Sequence, residues 1–196
     1  MNLPNTITMM RLLLTAVFCV AASSEGTLGY SIALVAFVLG AISDYLDGYL
    51  ARKMNLVTSL GKLLDPLADK ILVCSGYVYL SATQELCPVW VTALIICREF
   101  MVTGIRQIAL EKGVVIAADN LGKWKTGFQL TFIITALTHL TFQEVNVEFW
   151  LVRLLQYLSN PAHWLIPISL WLSVVLTVVS GYSYFWKSRD MILDRD

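Results

Sequence analysis

Charged residues are scarce in this sequence, and their scarcity argues against an ordinary soluble protein. Only 14% of its 196 residues are Asp, Glu, Lys or Arg, and 57% are hydrophobic, whereas an average soluble domain has about 25% charged residues. The formal net charge is zero, so the total charge predicts no nucleic acid or other polyanion as a partner. We therefore expect an integral membrane protein.

Paired cysteines and clustered histidines are also lacking, which argues against a zinc site. The four cysteines form no CxxC pair, and the chain has only two histidines. We interpret all four as small apolar side chains that fill space between helices, at Cys19, Cys74, Cys87 and Cys97.

Near-continuous apolar runs recur along the whole chain. A helix rises about 1.5 Å per residue and needs roughly 20 residues to cross about 30 Å of hydrocarbon. No long linker or repeat marks a second domain, so residues 1–196 are expected to form one all-α membrane domain. The runs predict six transmembrane helices, near residues 8–24, 30–50, 63–82, 88–109, 125–142 and 164–186.

Two further segments are predicted to lie at the membrane interface. The first residues form a short N-terminal interfacial segment that turns into the first span at or soon after Pro4-Asn5. The segment 143–163 is apolar but interrupted by charged residues and by Asn160-Pro161. It is therefore expected to form an amphipathic interfacial helix rather than a seventh span.

The distribution of Lys and Arg predicts the orientation in the membrane, because cytoplasmic loops carry the excess of basic residues. With the N-terminus inside, every basic residue except Arg153 lies on or toward the cytoplasmic side. Both termini are therefore expected to be cytoplasmic.

Acidic residues concentrate in "SDYLDGYLARKMNLVTSLGKLLDPLADK", residues 43–70. Asp44 and Asp47 are three residues apart at the end of the second predicted helix, and Asp65 and Asp69 are four apart on the third. Each pair shares one helical face. The short link between the helices predicts that four carboxylates converge at the cytoplasmic edge of the membrane.

Such a cluster needs positive charge, because like charges repel strongly at low dielectric. One interpretation is a salt-bridged loop neutralised by Arg52, Lys62 and Lys70. The other is a site for Mg²⁺, Mn²⁺ or Ca²⁺, which prefer oxygen ligands. Pro66 favours a third helix that begins near Leu63–Asp65, with free N–H groups beside the cluster that suit a phosphate.

The spacing of these residues resembles the signature of the CDP-alcohol phosphotransferases, integral membrane enzymes with six helices. The stretch has the form D-x₂-D-G-x₂-A-R-x₈-G-x₃-D-x₃-D without a departure, at Asp44, Asp47, Gly48, Ala51, Arg52, Gly61, Asp65 and Asp69. The resemblance implies that an alcohol displaces CMP from a CDP-linked donor. It also implies a bacterial inner-membrane location and a homodimer.

The resemblance further implies a role for each residue of the signature. Asp44, Asp47, Asp65 and Asp69 would hold two divalent cations, Mg²⁺ or Mn²⁺. Asp69 would also be the general base that takes the proton of the acceptor hydroxyl. The cytidine nucleotide would be accommodated by Gly48, Ala51, Arg52 and Gly61.

Basic residues in the second half of the chain bear on the acceptor. Arg98 and Arg106 are eight residues apart, on roughly one face of the fourth helix, and Lys123 and Lys125 lie where the fifth begins. Arg98 beside Glu99 inside a span predicts a buried ion pair or a polar cavity. These basic residues would suit a phosphorylated acceptor, although Lys123 and Lys125 are also explained as cytoplasmic anchors.

Both segments resemble those of bacterial family members that use CDP-diacylglycerol as donor and sn-glycerol 3-phosphate as acceptor. A sibling enzyme that uses inositol phosphate, serine or another alcohol is the alternative within the family. Two other classes are less consistent with the sequence. A cation transporter would place its carboxylates nearer the midplane, and a non-catalytic scaffold would not need them to ionise.

Overall fold

We describe the protein from a computed structural model, which defines the backbone of residues 3–24, 26–54, 59–82, 86–114, 120–145 and 148–192. Side chains in these ranges are described except at 3–7, 44–54, 59–67, 69, 111, 120, 187 and 190–192. Within the described residues the chain forms seven α-helices and no β-strand, which confirms the all-α prediction.

Six of the seven helices are long, and one is short. The long helices have between 20 and 28 residues, whereas α6 has nine. In chain order they are α1 (Leu3–Ala22), α2 (Thr27–Met54), α3 (Ser59–Ala82), α4 (Val89–Glu111), α5 (Asn120–Phe142), α6 (Trp150–Leu158) and α7 (Leu165–Ile192).

Within the described part of the chain, one stretch is long and apolar enough to cross a membrane. It is Leu165–Trp186 of α7, which coincides with the predicted sixth span. Shorter apolar stretches occur in α1, α2 and α3, at Thr8–Ala22, Thr27–Ser43 and Lys70–Ala82. The six predicted spans thus correspond in position to the six long helices, and their passage through a membrane stays a prediction.

The starts of α1 and α3 differ from those predicted. Helix α1 runs without a break from Leu3, so the predicted separate N-terminal segment forms its first turns instead. Proline is tolerated there, because the first N–H groups of a helix have no intrahelical partner. Helix α3 begins at Ser59, which places Pro66 inside the helix. The prediction of a helix N-terminus beside Asp65 is therefore wrong.

The short helix α6 has the amphipathic character predicted for 143–163, but it covers only Trp150–Leu158 of that segment. None of its residues is buried, and its apolar Trp150, Leu154 and Tyr157 are exposed along one face. The Gln156 amide nitrogen donates to the carbonyl oxygens of Phe142 and Val145 at 2.8 Å each, which ties α6 to the end of α5. Its position at a membrane interface stays a prediction.

A core of buried aromatic and aliphatic side chains joins the long helices. Phe18 of α1 packs edge-on against Phe37 of α2 with ring centroids 5.6 Å apart, and Tyr77 of α3 stacks on Phe132 of α5 at 5.4 Å. Helix α7 contacts both α4 and α5. This arrangement brings the polar residues of α4, α5 and α7 together at one place in the bundle.

Burial of the cysteines only partly agrees with their interpretation as space-filling side chains. Cys87 is buried in the connection between α3 and α4, whereas Cys19 and Cys97 are exposed. Burial raises the pKa of the Cys87 thiol. Cys74 is half-buried. The interpretation is therefore right for Cys87, agrees in part with Cys74, and is wrong for Cys19 and Cys97, because an apolar residue on this bundle need not face its interior.

Candidate active site

The acidic signature lies on two neighbouring helices. Residues 44–52 belong to α2, and residues 61–69 belong to α3, which contacts α2. The helical backbone puts Asp44 and Asp47 on one face of α2, and Asp65 and Asp69 on one face of α3. The side chains of the whole signature lie outside the described part of the structure, so their convergence stays a prediction.

A buried ion cluster joins α4 to α5. Glu99 of α4 accepts a hydrogen bond from Nζ of Lys125 on α5, and its Oε1 lies 3.5 Å from Nη1 of Arg98. Lys125 is only 3% exposed. The predicted buried pair between Arg98 and Glu99 is thus confirmed. Lys125 joins the same carboxylate, which a solvated membrane anchor would not do.

Helix α7 completes the surroundings of Arg98. The Arg98 Nη2 donates to Oγ of Ser180 at 2.9 Å. Gly181 follows, and a Cβ built there would lie 3.2 Å from Cγ of Arg98. Glycine at this position therefore lets the arginine side chain lie close against the backbone of α7.

Arg106 reaches the same face of α7 about one turn further along. Its Nη2 donates a hydrogen bond to the hydroxyl of Tyr184, and its guanidinium carbon lies 4.9 Å from the centroid of the Tyr184 ring. The guanidinium carbon of Arg98 lies 6.0 Å from the same centroid. The predicted shared face of Arg98 and Arg106 is therefore directed at one aromatic residue.

The Nε donors of both arginines are buried. Among the described residues, no hydrogen-bond partner reaches Nε of Arg98 or Nε of Arg106. Buried donors are nearly always paired in folded proteins, so exceptions call for a ligand or a water. Arg98, Arg106 and Lys125 outnumber Glu99 by two positive charges, which matches the charge of about −1.5 to −2 on a phosphate monoester.

A small cavity lies between Glu99 of this cluster and α3. It is lined by Lys70 and Val73 of α3, Glu99 of α4, and Thr126 and Gln129 of α5. Lys70 directly follows Asp69 in the sequence. The basic cluster is therefore next to the helix that carries the last aspartate of the signature.

The predicted acceptor residues do not all belong to this cluster. Arg98, Arg106 and Lys125 are in or beside it, while Lys123 is exposed on α5. Sequence reasoning missed Ser180, Gly181 and Tyr184. One sequence pattern could have identified this face of α7, because hydroxyl residues recur along it every three or four positions. All of them are buried: Ser169, Ser173, Thr177, Ser180, Tyr184 and Ser188.

Comparison with known proteins identifies the family. A sequence model described as CDP-alcohol phosphatidyltransferase matches residues 1–179. The chain is 36% identical to the CDP-diacylglycerol–glycerol-3-phosphate 3-phosphatidyltransferase of Bacillus subtilis, over 97% of each chain. It is 35% identical to the enzyme of the same name from Rickettsia bellii, over 94% of this chain and 93% of the relative.

A further relative carries a different but related name. The probable phosphatidylglycerophosphate synthase of Mycobacterium tuberculosis is 33% identical, over 97% of this chain and 83% of its own. These matches extend over nearly the whole sequence, well beyond the acidic signature. The chain therefore belongs to the CDP-alcohol phosphatidyltransferase family.

Proposed function

We propose that this chain transfers the phosphatidyl group of CDP-diacylglycerol to sn-glycerol 3-phosphate, which gives phosphatidylglycerophosphate and CMP. The observation that carries the choice of acceptor is a cluster of four residues with two excess positive charges: Arg98, Lys125 and Glu99, which are buried, and Arg106, which is half-buried. The names of the full-length relatives support the same reaction.

The donor half of the reaction is assigned to the acidic signature. Four carboxylates on adjacent helices are the ligand chemistry that suits hard divalent cations, so Asp44, Asp47, Asp65 and Asp69 fit two Mg²⁺ or Mn²⁺ ions. Cations bound there would neutralise charge on the pyrophosphate of the donor. Gly48, Ala51, Arg52 and Gly61 would accommodate the cytidine nucleotide.

The acceptor half is assigned to the basic cluster. Arg98, Arg106 and Lys125 would bind the phosphate of sn-glycerol 3-phosphate through charge-assisted hydrogen bonds. Lys123, which is exposed, would add positive charge where the acceptor enters. The adjacency of this cluster to α3 would direct the free hydroxyl of the acceptor toward Asp69.

The proposed chemistry is a single displacement at phosphorus. Asp69 takes the proton of the acceptor hydroxyl, and the acceptor oxygen forms a bond to the phosphorus that carries the diacylglycerol. The bond between that phosphorus and the oxygen of CMP breaks, and CMP leaves with the bonding electron pair. Arg98 and Arg106 hold the acceptor in place, so their contribution is to position it for attack.

The same proposal includes the membrane arrangement. The six long helices would cross a bacterial inner membrane, with both termini and the acidic signature on the cytoplasmic side. Helix α6 would lie in the opposite interface, which agrees with the exposure of its apolar face. The active protein would be a homodimer, as the family resemblance implies.

An acceptor panel tests the function directly. The purified protein is reconstituted in vesicles with CDP-diacylglycerol and Mg²⁺, and CMP release is followed with sn-glycerol 3-phosphate, glycerol, serine, inositol or inositol phosphate as acceptor. We expect release with sn-glycerol 3-phosphate and little with glycerol or serine, which leave the cationic cluster unneutralised. Efficient use of serine with sn-glycerol 3-phosphate inert would support the sibling enzyme instead.

A further inference from the structure

Tyr184 has an environment unlike that of the other aromatic residues of α7. Its side chain is 3% exposed, while its neighbours Tyr182 and Trp186 are 65% and 53% exposed. Its hydroxyl accepts a hydrogen bond from Arg106, and its ring lies within cation–π distance of both Arg106 and Arg98. Tyr184 is therefore the residue of α7 that contacts both arginines of the basic cluster.

Ser180 makes the corresponding contact with Arg98 one turn earlier. Its Oγ accepts from Nη2 of Arg98 while donating to the carbonyl oxygen of Leu176 at 2.5 Å. The serine hydroxyl is thus fixed by its own helix, and it restrains the guanidinium in turn. In each arginine Nη2 is engaged by α7, and Nε has no partner among the described residues.

Simple helix packing does not explain this pattern as well. Ser173 lies on the same buried face of α7, but the partners of its Oγ among the described residues are neutral: the hydroxyl of Tyr77 at 3.1 Å and the carbonyl oxygen of Leu170 at 2.7 Å. If these side chains only packed the helices together, neutral contacts of this kind would be sufficient. At Ser180 and Tyr184 the partners are instead two charged groups, and the buried Nε of each has no partner in the part of the chain that the structure describes.

We propose that Tyr184, with Ser180, is a positioning residue that orients Arg106 and Arg98 toward one bound phosphate monoester. The inference rests on the proposed function, because the phosphate is that of the acceptor. Tyr184 acts through the arginines: its hydroxyl fixes the direction of the Arg106 guanidinium, and its ring limits the movement of both. Pre-orientation of this kind lowers the cost of ordering the side chains on binding.

A double-mutant cycle between Tyr184 and Arg106 tests the inference. The full chain is assayed in vesicles with CDP-diacylglycerol and Mg²⁺ for Tyr184→Phe, Arg106→Gln and the double variant. Tyr184→Phe keeps the ring and removes the hydroxyl, so we expect the KM for sn-glycerol 3-phosphate to rise about tenfold. The KM for CDP-diacylglycerol should stay unchanged. The double variant should resemble Arg106→Gln alone, since the hydroxyl acts through that arginine.

Two control variants separate positioning from general damage. Tyr182→Phe removes a hydroxyl from an exposed tyrosine two residues away, and Ser173→Ala removes one from the same buried face. Both should leave the acceptor KM unchanged. If Tyr184→Phe does not fold, Ser180→Ala combined with Arg98→Gln forms an equivalent cycle, and the same non-additivity is expected.

The outcomes distinguish failure of the inference from failure of the proposed function. An unchanged acceptor KM in Tyr184→Phe, or effects of Tyr184→Phe and Arg106→Gln that simply multiply, overturns the positioning role. In that case a raised acceptor KM in Arg106→Gln would still support the proposed acceptor site. If Arg106→Gln also has an unchanged KM, the phosphate site itself is wrong, and the inference falls with it.

Discussion

Glu99 and Lys125 form a buried ion pair that links α4 to α5, 26 positions apart in the sequence. The carboxylate also faces Arg98, so one acidic group is shared between two basic ones. Such a group compensates part of the cost of burying the cations, and it leaves enough positive charge to attract an anion. If the cluster binds the acceptor as proposed, the stability of the bundle and the binding of the acceptor are coupled through Glu99.

Loss of the Glu99 carboxylate should destabilise the protein. Glu99→Gln removes the carboxylate that Lys125 and Arg98 share among the described residues, and removal of one partner of a buried pair costs about 3–5 kcal/mol. We expect a lower midpoint of thermal unfolding in detergent. Inorganic phosphate should raise that midpoint more in the variant than in the parent protein, because the anion replaces the missing charge.

An exposed ion pair provides the matched control for this change. Glu148 and Arg153 form a pair with side chains 92% and 66% exposed. Exposed pairs contribute about 0–1 kcal/mol, so Glu148→Gln should leave the midpoint nearly unchanged. Equal midpoints for the Glu99 and Glu148 variants would contradict a structural role for the buried cluster.

A methyl group at Gly181 should disturb the acceptor site without weakening the fold. In Gly181→Ala the added carbon would lie 3.2 Å from Cγ of Arg98, so the arginine must shift. Alanine is a better helix former than glycine by about 1 kcal/mol, which should offset the crowding. We expect the acceptor KM to rise about tenfold through misplacement of the guanidinium, with no lower thermal midpoint.

Gly104→Ala is the corresponding control on α4. A Cβ at Gly104 would meet no atom of the described residues within 4 Å. Its kinetics should match those of the parent protein. A similar rise in acceptor KM for both glycine variants would point to a general effect on the helices instead of contact with Arg98.

The two lysines of α5 should differ in their effects on the acceptor. Lys125→Gln removes a buried charge, and hydrogen bonds to charged groups are worth about 1.5–3 kcal/mol, so the acceptor KM should rise tenfold or more. Lys123 is exposed and its charge is screened by solvent, so Lys123→Gln should change the acceptor KM by less than about fivefold. Steady-state kinetics with varied sn-glycerol 3-phosphate measure both values. A larger rise in acceptor KM for Lys123→Gln than for Lys125→Gln would indicate that Lys123 binds the phosphate and that Lys125 has only a structural role.

The acidic signature should make activity dependent on divalent metal. Asp44→Asn should weaken the binding of metal and donor, since a carboxylate ligand is replaced by a neutral amide. Asp69→Asn should chiefly lower turnover, because the proton acceptor is lost. Titration of activity with Mg²⁺ and Mn²⁺ distinguishes the two variants. Full activity in excess chelator, or in the Asp44→Asn protein, would refute this assignment.

Local sequence patterns were sufficient to predict most helices and the ion pair of α4. Apolar runs located all six long helices, and the charge-interrupted segment at 143–163 predicted the amphipathic α6. Arg98 and Glu99 are adjacent in the sequence, so their pairing follows from the cost of burying either alone. The start of α3 was missed because proline at a first turn and proline within a helix give the same local signal.

The contribution of α7 could not be predicted in the same way. Tyr184 contacts a residue 78 positions away, and Tyr182 is equally aromatic but exposed. In an apolar helix the faces toward lipid and toward the bundle have similar composition, so hydrophobic periodicity does not separate them. Only the row of buried hydroxyl residues marks the inner face, and it does not show which partner each hydroxyl has.

Transfer of label from sn-glycerol 3-phosphate into lipid is the most direct test of the proposed reaction. Isotope-labelled acceptor is incubated with the reconstituted protein, CDP-diacylglycerol and Mg²⁺, and lipid-extractable label is compared with CMP released. We predict label in phosphatidylglycerophosphate in equal amount to CMP, and loss of both in Asp69→Asn. Release of CMP without label in the lipid, or label transfer that does not require CDP-diacylglycerol, would contradict the proposed function.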